Sequence, residues 1–212
     1  MKTRAKIVGI SFFITFAAFT AAANQGMLVA VDWPGIQKVW KYETAYLSSN
    51  PTDEGLAHAK SQGVATVVNL MEDWEMAAPG PEFSEWISGF LQGGGVGESL
   101  QLSILLSEPS LEWNEAQAAR ELGLRYEHIP LSVENPDPEA VNRFLQVMKE
   151  INAKQVLVHC DLAGRALATW AIYLGMVKGY SPESALAEAK AAGLNHEGLE
   201  NFALSYLQKY AG

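Results

Sequence analysis

Cysteine is almost missing from this sequence. Cys160 is the only one in 212 residues, so no disulfide can form within the chain and stability must come from a packed core. Histidine is nearly as scarce. His58, His128, His159 and His196 show no paired-ligand spacing, which argues against a zinc site. Positive charge is short as well: Lys and Arg number 15 against 24 Asp and Glu, for a formal net charge of −9. Such a surface disfavours nucleic acid and anionic membranes as partners. A site for an anionic ligand would have to be built locally, against the field of the whole molecule. Long apolar runs are confined to the first two dozen residues, so no stable membrane span is expected beyond them.

Those first residues follow a processing pattern. Met1-Lys-Thr-Arg-Ala-Lys6 is a basic leader, Ile7 to Ala22 is apolar, and Ala21-Ala22-Ala23 offers small residues for cleavage before Asn24. This is the pattern of a secretory signal peptide over residues 1–23, the competing reading being an uncleaved anchor. Its removal with Lys2, Arg4 and Lys6 takes the net charge from −9 to −12. In a bacterium the exported chain would be periplasmic or secreted. An unpaired thiol there is a liability, which favours a chemical use for Cys160.

Residues 24–212 are long enough for one domain with a sizeable core. Met27 to Trp40, punctuated by Trp33-Pro34-Gly35, reads as an edge segment, and Val39 to Leu47 as a first strand. A helix is predicted from Asp53 to Gln62, stopped by Gly63. Val64 to Leu70, apolar on both faces, is a buried parallel strand. Residues 71–107 form an irregular insert. Within it Phe83, Trp86, Ile87, Phe90 and Leu91 recur at helical spacing, and Leu100 to Leu106 alternate as a strand. The insert reads either as a recognition element carrying Trp74 and Trp86 over a site or as a packed surface subdomain. Helices from Leu111 to Leu122 (capped by Ser110) and from Glu139 to Asn152 flank a strand at Arg125 to Leu131. Further helices lie near 183–192 and 195–210. The alternation of strands with helices predicts an α/β domain with a mostly parallel central sheet flanked by helices.

One stretch organises the rest: Gln155-Val-Leu-Val-His-Cys-Asp-Leu-Ala-Gly-Arg165, running straight into Ala166-Leu-Ala-Thr-Trp-Ala-Ile-Tyr-Leu174. It reads as an apolar strand, a tight loop and an apolar helix. Cys160 stands at the strand end and Arg165 at the helix start. Loop amides and the helix N-terminus make a concavity suited to an oxyanion, and the same field suits an anionic sulfur nucleophile. Arg165 can hold an oxyanion through two parallel hydrogen bonds. Together these are parts of a nucleophilic cysteine site. The alternative is a small buried hydrophobe with no chemistry.

Four stretches then carry a family resemblance. They are Tyr46 to Leu56 with Gly63 to Leu70, Ala119 to Pro130, Val156 to Cys160, and Gly179 to Gly193. Through them the chain resembles the cysteine-dependent protein tyrosine and dual-specificity phosphatase superfamily, in particular its bacterial beta-lactamase-hydrolase-like, phosphatase-like branch. The resemblance implies a phosphatase-like fold, no cofactor and a phosphorylated substrate. It implies that Cys160 attacks phosphorus to give a cysteinyl-phosphate. Asp161, Leu162, Ala163, Gly164 and Arg165 would form the phosphate loop, with amides of Leu162 to Arg165 and the Arg165 side chain holding the oxygens. A loop acid, Asp137 or Glu134, would protonate the leaving oxygen, unless Asp137 merely caps the next helix. His159 would support the loop from the strand end.

The chain departs from the pattern. Four residues, not the usual five, separate Cys160 from Arg165, a spacing shared with the bacterial branch. That branch has Gly three residues after Cys, where this chain has Ala163, with Gly164 next. Asp161 sets a carboxylate beside the cradle, and no Ser or Thr follows Arg165. A weak or inert phosphatase-fold binding protein is therefore a second expectation. A rhodanese-type sulfurtransferase, which also closes a Cys loop with Arg after four residues, is a third.

Overall fold

The structure is a computed structural model and describes residues 27–76, 114–151 and 155–211. The leader, most of the expected insert with Trp86, and the expected Ser110 cap lie outside the described residues.

Six strands form one sheet in the order β1-β2-β3-β6-β4-β5. β1 (Val29–Trp33), β2 (Ile36–Tyr42) and β3 (Ala45–Ser48) make an antiparallel meander. The single strand expected over Val39 to Leu47 is in fact two. The chain reverses at Glu43, whose φ of 50° is left-handed, and Tyr42 pairs with Ala45. β4 (Val64–Asn69), β5 (Arg125–His128) and β6 (Gln155–His159) join β3 through parallel pairings. The α/β class and mostly parallel sheet expected from the sequence are therefore present.

Side chains of the central strands alternate between two apolar layers. Leu47, Val68, Val156 and Val158 pack into the larger one, and Tyr46, Val67 and Leu157 into the smaller. The smaller layer is closed by α1 (Asp53–Ser61), through Leu56 and Ala59, and by α3 (Glu115–Glu121), through Ala119. A short helix, α2 (Asp73–Met76), lies between β4 and α3 in the chain. The larger layer is closed by α4 (Pro138–Glu150), α5 (Gly164–Lys178), α6 (Pro182–Ala191) and α7 (Glu197–Tyr210).

Local signals explain most ends. Thr52 caps α1 by accepting from the Gly55 amide, and Gly63 follows with φ 86°. Asn114 caps α3 by accepting from the Gln117 amide at 2.9 Å. α5 is buried on most sides because Ala166, Leu167, Trp170, Ala171 and Leu174 surround its axis. Its Gly175 lets α7 approach so closely that a Cβ there would sit 2.3 Å from Leu207 Cδ2. The result is a rigid central strand, β6, leading into a rigid central helix, α5, with only four residues between them. No helix among the described residues is long and apolar enough to cross a membrane.

Candidate active site

Cys160 directly follows β6, so its place is set by both neighbouring strands. Its amide donates to the Ser48 carbonyl at 3.4 Å, and the preceding carbonyl, that of His159, accepts from the Leu70 amide at 2.9 Å. The loop is tied from a third direction by the Asn50 amide, which donates to the Asp161 carbonyl at 3.0 Å. Cys160 is only 2% exposed.

The turn into α5 is made by Ala163, in the left-handed region at φ 72° and fully buried. This conformation costs a residue with a Cβ about 1–2 kcal/mol, and glycine adopts it freely. Ala163 offers no side-chain cap. The first amides of α5, those of Gly164, Arg165 and Ala166, find no acceptor among the described residues. An uncapped N-terminus of a fifteen-residue helix therefore opens beside the thiol, an arrangement that favours an oxyanion. Leu162, 67% exposed, stands at the rim.

Arg165 is buried and its five donors can be accounted for one by one. Nη1 donates to Glu75 Oε2 at 2.5 Å and to the Leu131 carbonyl at 3.2 Å, and Nη2 donates to Glu75 Oε1 at 2.6 Å. The end of the guanidinium is thus spent on Glu75. Its side edge, Nε and the second Nη2 proton, has no oxygen acceptor among the described residues, and the Cys160 sulfur lies within hydrogen-bonding reach of the guanidinium; the edge keeps the fork geometry for one oxyanion. Burial works against the Arg165 charge, but Glu75 and the neighbouring Cys160 hold its pKa above the ordinary value.

Glu75 comes from α2, whose turn is fixed by the Glu72 amide donating to Glu75 Oε2 at 2.7 Å. Burial pushes its carboxyl up, but the Arg165 and Glu72 hydrogen bonds outweigh this and leave it below the usual range. The neighbouring Trp74 is 69% exposed. Asp161 is half-buried, and burial first, then the Glu75 charge, raise its pKa against the opposing pull of Arg165.

The structure gathers Cys160, Asp161, Leu162 and Ala163 into one loop, with Gly164 and Arg165 in the first turn of α5. Asp137 it sets elsewhere in role: exposed, it accepts from the Glu139 amide at 2.9 Å and caps α4. Glu134 is also exposed. His159 is fully buried, its Nε2 2.6 Å from Glu115 Oε1. No three His, Cys, Asp or Glu side chains among the described residues cluster in a way that could hold a metal ion.

Solved structures share this architecture. One is a DUF442 protein from Shewanella putrefaciens CN-32, with a TM-score of 0.56 at 21% identity over 83% of this chain and 92% of that one. Another is TpbA of P. aeruginosa in complex with pTyr, at 0.58 and 18% over 89% and 92%. The active form of Tk-PTP matches at 0.56 and 20% over 84% and 99%. The chain has the protein tyrosine phosphatase-like fold. No protein-family profile matches the sequence, and no curated protein matches it significantly.

In this phosphatase-like fold, two residues at the site escape a reading of the sequence alone. Glu75 lies in a stretch with no periodicity, so nothing along the chain announces its reach to Arg165. Glu115, in the first turn of α3, resembles any acidic residue placed to suit a helix dipole. Asn69 does carry a signal: it is the polar interruption at the end of an otherwise apolar strand.

Proposed function

We propose that this protein is an exported, cysteine-dependent phosphatase that hydrolyses phosphate monoesters. One observation carries the reading: the Arg165 guanidinium, within reach of the Cys160 sulfur, and the uncapped start of α5 both border the loop that begins at Cys160. These are fixed donors for the charge that spreads over the phosphoryl oxygens in the transition state. The fold shared with TpbA and Tk-PTP supports it. Because that TpbA structure holds pTyr, aryl phosphates are the natural first substrates to try.

In the proposed reaction the Cys160 sulfur attacks phosphorus and the ester P–O bond breaks, leaving a cysteinyl-phosphate. The departing oxygen takes a proton from a carboxylic acid. Asp161 is the better donor than Asp137: its raised pKa keeps it protonated at higher pH than an ordinary aspartic acid, whereas the Asp137 carboxylate is engaged as a cap. A water molecule then gives a proton to the Asp161 carboxylate and attacks phosphorus, releasing phosphate and the Cys160 thiolate. A protonated Asp161 also removes the charge that would repel substrate. Export rests on the leader pattern over residues 1–23.

The test compares the parent with Cys160→Ser for release of p-nitrophenol from its phosphate across about pH 4.5–8. Turnover that disappears in the variant is expected. Equal background signals from two folded proteins would refute the phosphatase reading. The second reading, a phosphoryl-binding protein without turnover, is favoured by the hold of Glu75 on Arg165 and the burial of Cys160. It would be selected if the folded, inactive protein bound vanadate.

A further inference from the structure

Beneath the loop lies a buried polar cluster that the reaction above does not use. Glu115, His159 and Asn69 are each fully buried. Glu115 Oε2 accepts from Asn69 Nδ2 at 2.7 Å and from the Tyr126 hydroxyl at 3.1 Å. Glu115 Oε1 lies 2.6 Å from His159 Nε2, off the line of a well-aligned hydrogen bond. Asn69 is committed on its other side as well, accepting from the Met71 amide at 2.7 Å through Oδ1. Burial and the Glu115 charge push the Tyr126 phenol above its ordinary pKa, so it remains a donor to the carboxylate.

The cluster is placed where it governs both halves of the site. Asn69 and His159 are register partners at the ends of β4 and β6. His159 is followed at once by Cys160. Asn69 fixes the turn into α2, whose Glu75 holds Arg165. A hydrocarbon plug of similar volume would cost less to bury than a carboxylate. What a carboxylate adds is direction, since one oxygen with two defined donors fixes its orientation and holds the other against the His159 ring.

We propose that Glu115 is a positioning residue for the phosphatase site: through His159 it sets Cys160, and through Asn69 it sets the α2 turn that presents Glu75 to Arg165. This rests on the phosphatase reading, and its test separates the two.

Glu115→Leu removes both oxygens. Glu115→Gln keeps an acceptor for Asn69 and Tyr126. With p-nitrophenyl phosphate, Glu115→Leu is expected to lose about 10²-fold in kcat, the scale of a misplaced reacting group. KM should stay within about threefold of the parent, and Glu115→Gln should recover most of the loss. A Glu115→Leu protein that melts with the parent and keeps kcat within about threefold overturns the proposal. So do Leu and Gln variants that lose activity and melting temperature together, the sign of a plain core defect. If Glu115→Leu does not fold, Tyr126→Phe takes its place. Loss of one hydrogen bond to the carboxylate should lower kcat about fivefold, and an unchanged kcat overturns the proposal.

A parent without turnover removes the phosphatase reading, and positioning is then read from alkylation of Cys160 by iodoacetamide, with Cys160→Ser as blank. Glu115→Leu should react about tenfold faster than the parent as the loop end loosens, with Glu115→Gln close to the parent. Equal rates in all three overturn the proposal.

Discussion

Glu75 meets Arg165 at 2.5 and 2.6 Å, and Glu115 comes within 2.6 Å of His159. Both carboxylates face a cationic or potentially cationic partner at one end of the same short loop, yet their surroundings differ. The Glu75 side chain is 13% exposed and sits on a four-residue helix. Its contact leaves the Nε edge of Arg165 for the neighbouring Cys160 sulfur and an incoming anion. Glu115 is completely buried, on a helix packed into the smaller core layer; one of its oxygens accepts from Asn69 and Tyr126 and the other faces His159. The difference separates a grip from a mount. A pair that spends only part of a guanidinium can admit another anion. A pair sealed in low dielectric can only hold its neighbours still.

Arg165→Ala should break this contrast most severely. It removes the fork and leaves Glu75 beside the cradle without a counter-charge. The expected loss in kcat/KM for p-nitrophenyl phosphate is at least about 10²–10³-fold, the scale of removing a donor aimed at developing charge. An Arg165→Ala protein within tenfold of the parent would show that the loop amides suffice.

Glu75→Gln sharpens the contrast through pH. If Asp161 donates its proton, turnover falls as pH rises through its pKa. Burial and the Glu75 charge both raise that pKa, so removing the charge lets Asp161 ionise at lower pH. The alkaline limb of the kcat profile should move toward acid, while phosphate inhibits more strongly because one repelling charge is gone. An unmoved limb would mean that Asp161 is not the proton donor.

The smallest effect concerns the turn itself. Ala163→Gly relieves a left-handed residue, offset in part by the entropy glycine adds to the unfolded chain. A net stabilisation of about 0.5 kcal/mol is expected, about 1–2 °C in Tm, with kcat little changed. A lower Tm would mean that the buried methyl matters more for packing than the backbone does for strain.

The fold was legible where one physical signal sufficed. The β-branched run at Val64 and the strand–loop–helix at Gln155 to Leu174 announce a parallel sheet and a central helix, because apolar faces and helix stops are local properties. Ala163 was legible in part. The departure from glycine shows in the sequence, and the structure supplies the reason glycine suits that position. The split of Val39 to Leu47 was hidden, since its reversal uses Glu43 in a left-handed conformation that the residue type does not advertise. The charged partners of the site were hidden for another reason. Glu75 and Glu115 lie 90 and 44 positions from Arg165 and His159, and only tertiary folding selects them from the 24 acids of the chain.

The strand order β3-β6-β4 also dictates when this site can exist. β6 pairs with β3 on one side and β4 on the other, yet Val158 lies about 110 positions after its partner Leu47. A nascent chain that has not yet delivered β6 has a gap in the middle of its sheet, with β3 and β4 unable to meet each other. A chain stopped before Gln155 therefore lacks more than Cys160: it has no continuous sheet on which the remaining layers can assemble. The loop takes shape only once β6 is in place, so the single thiol is buried in the same event that closes the sheet.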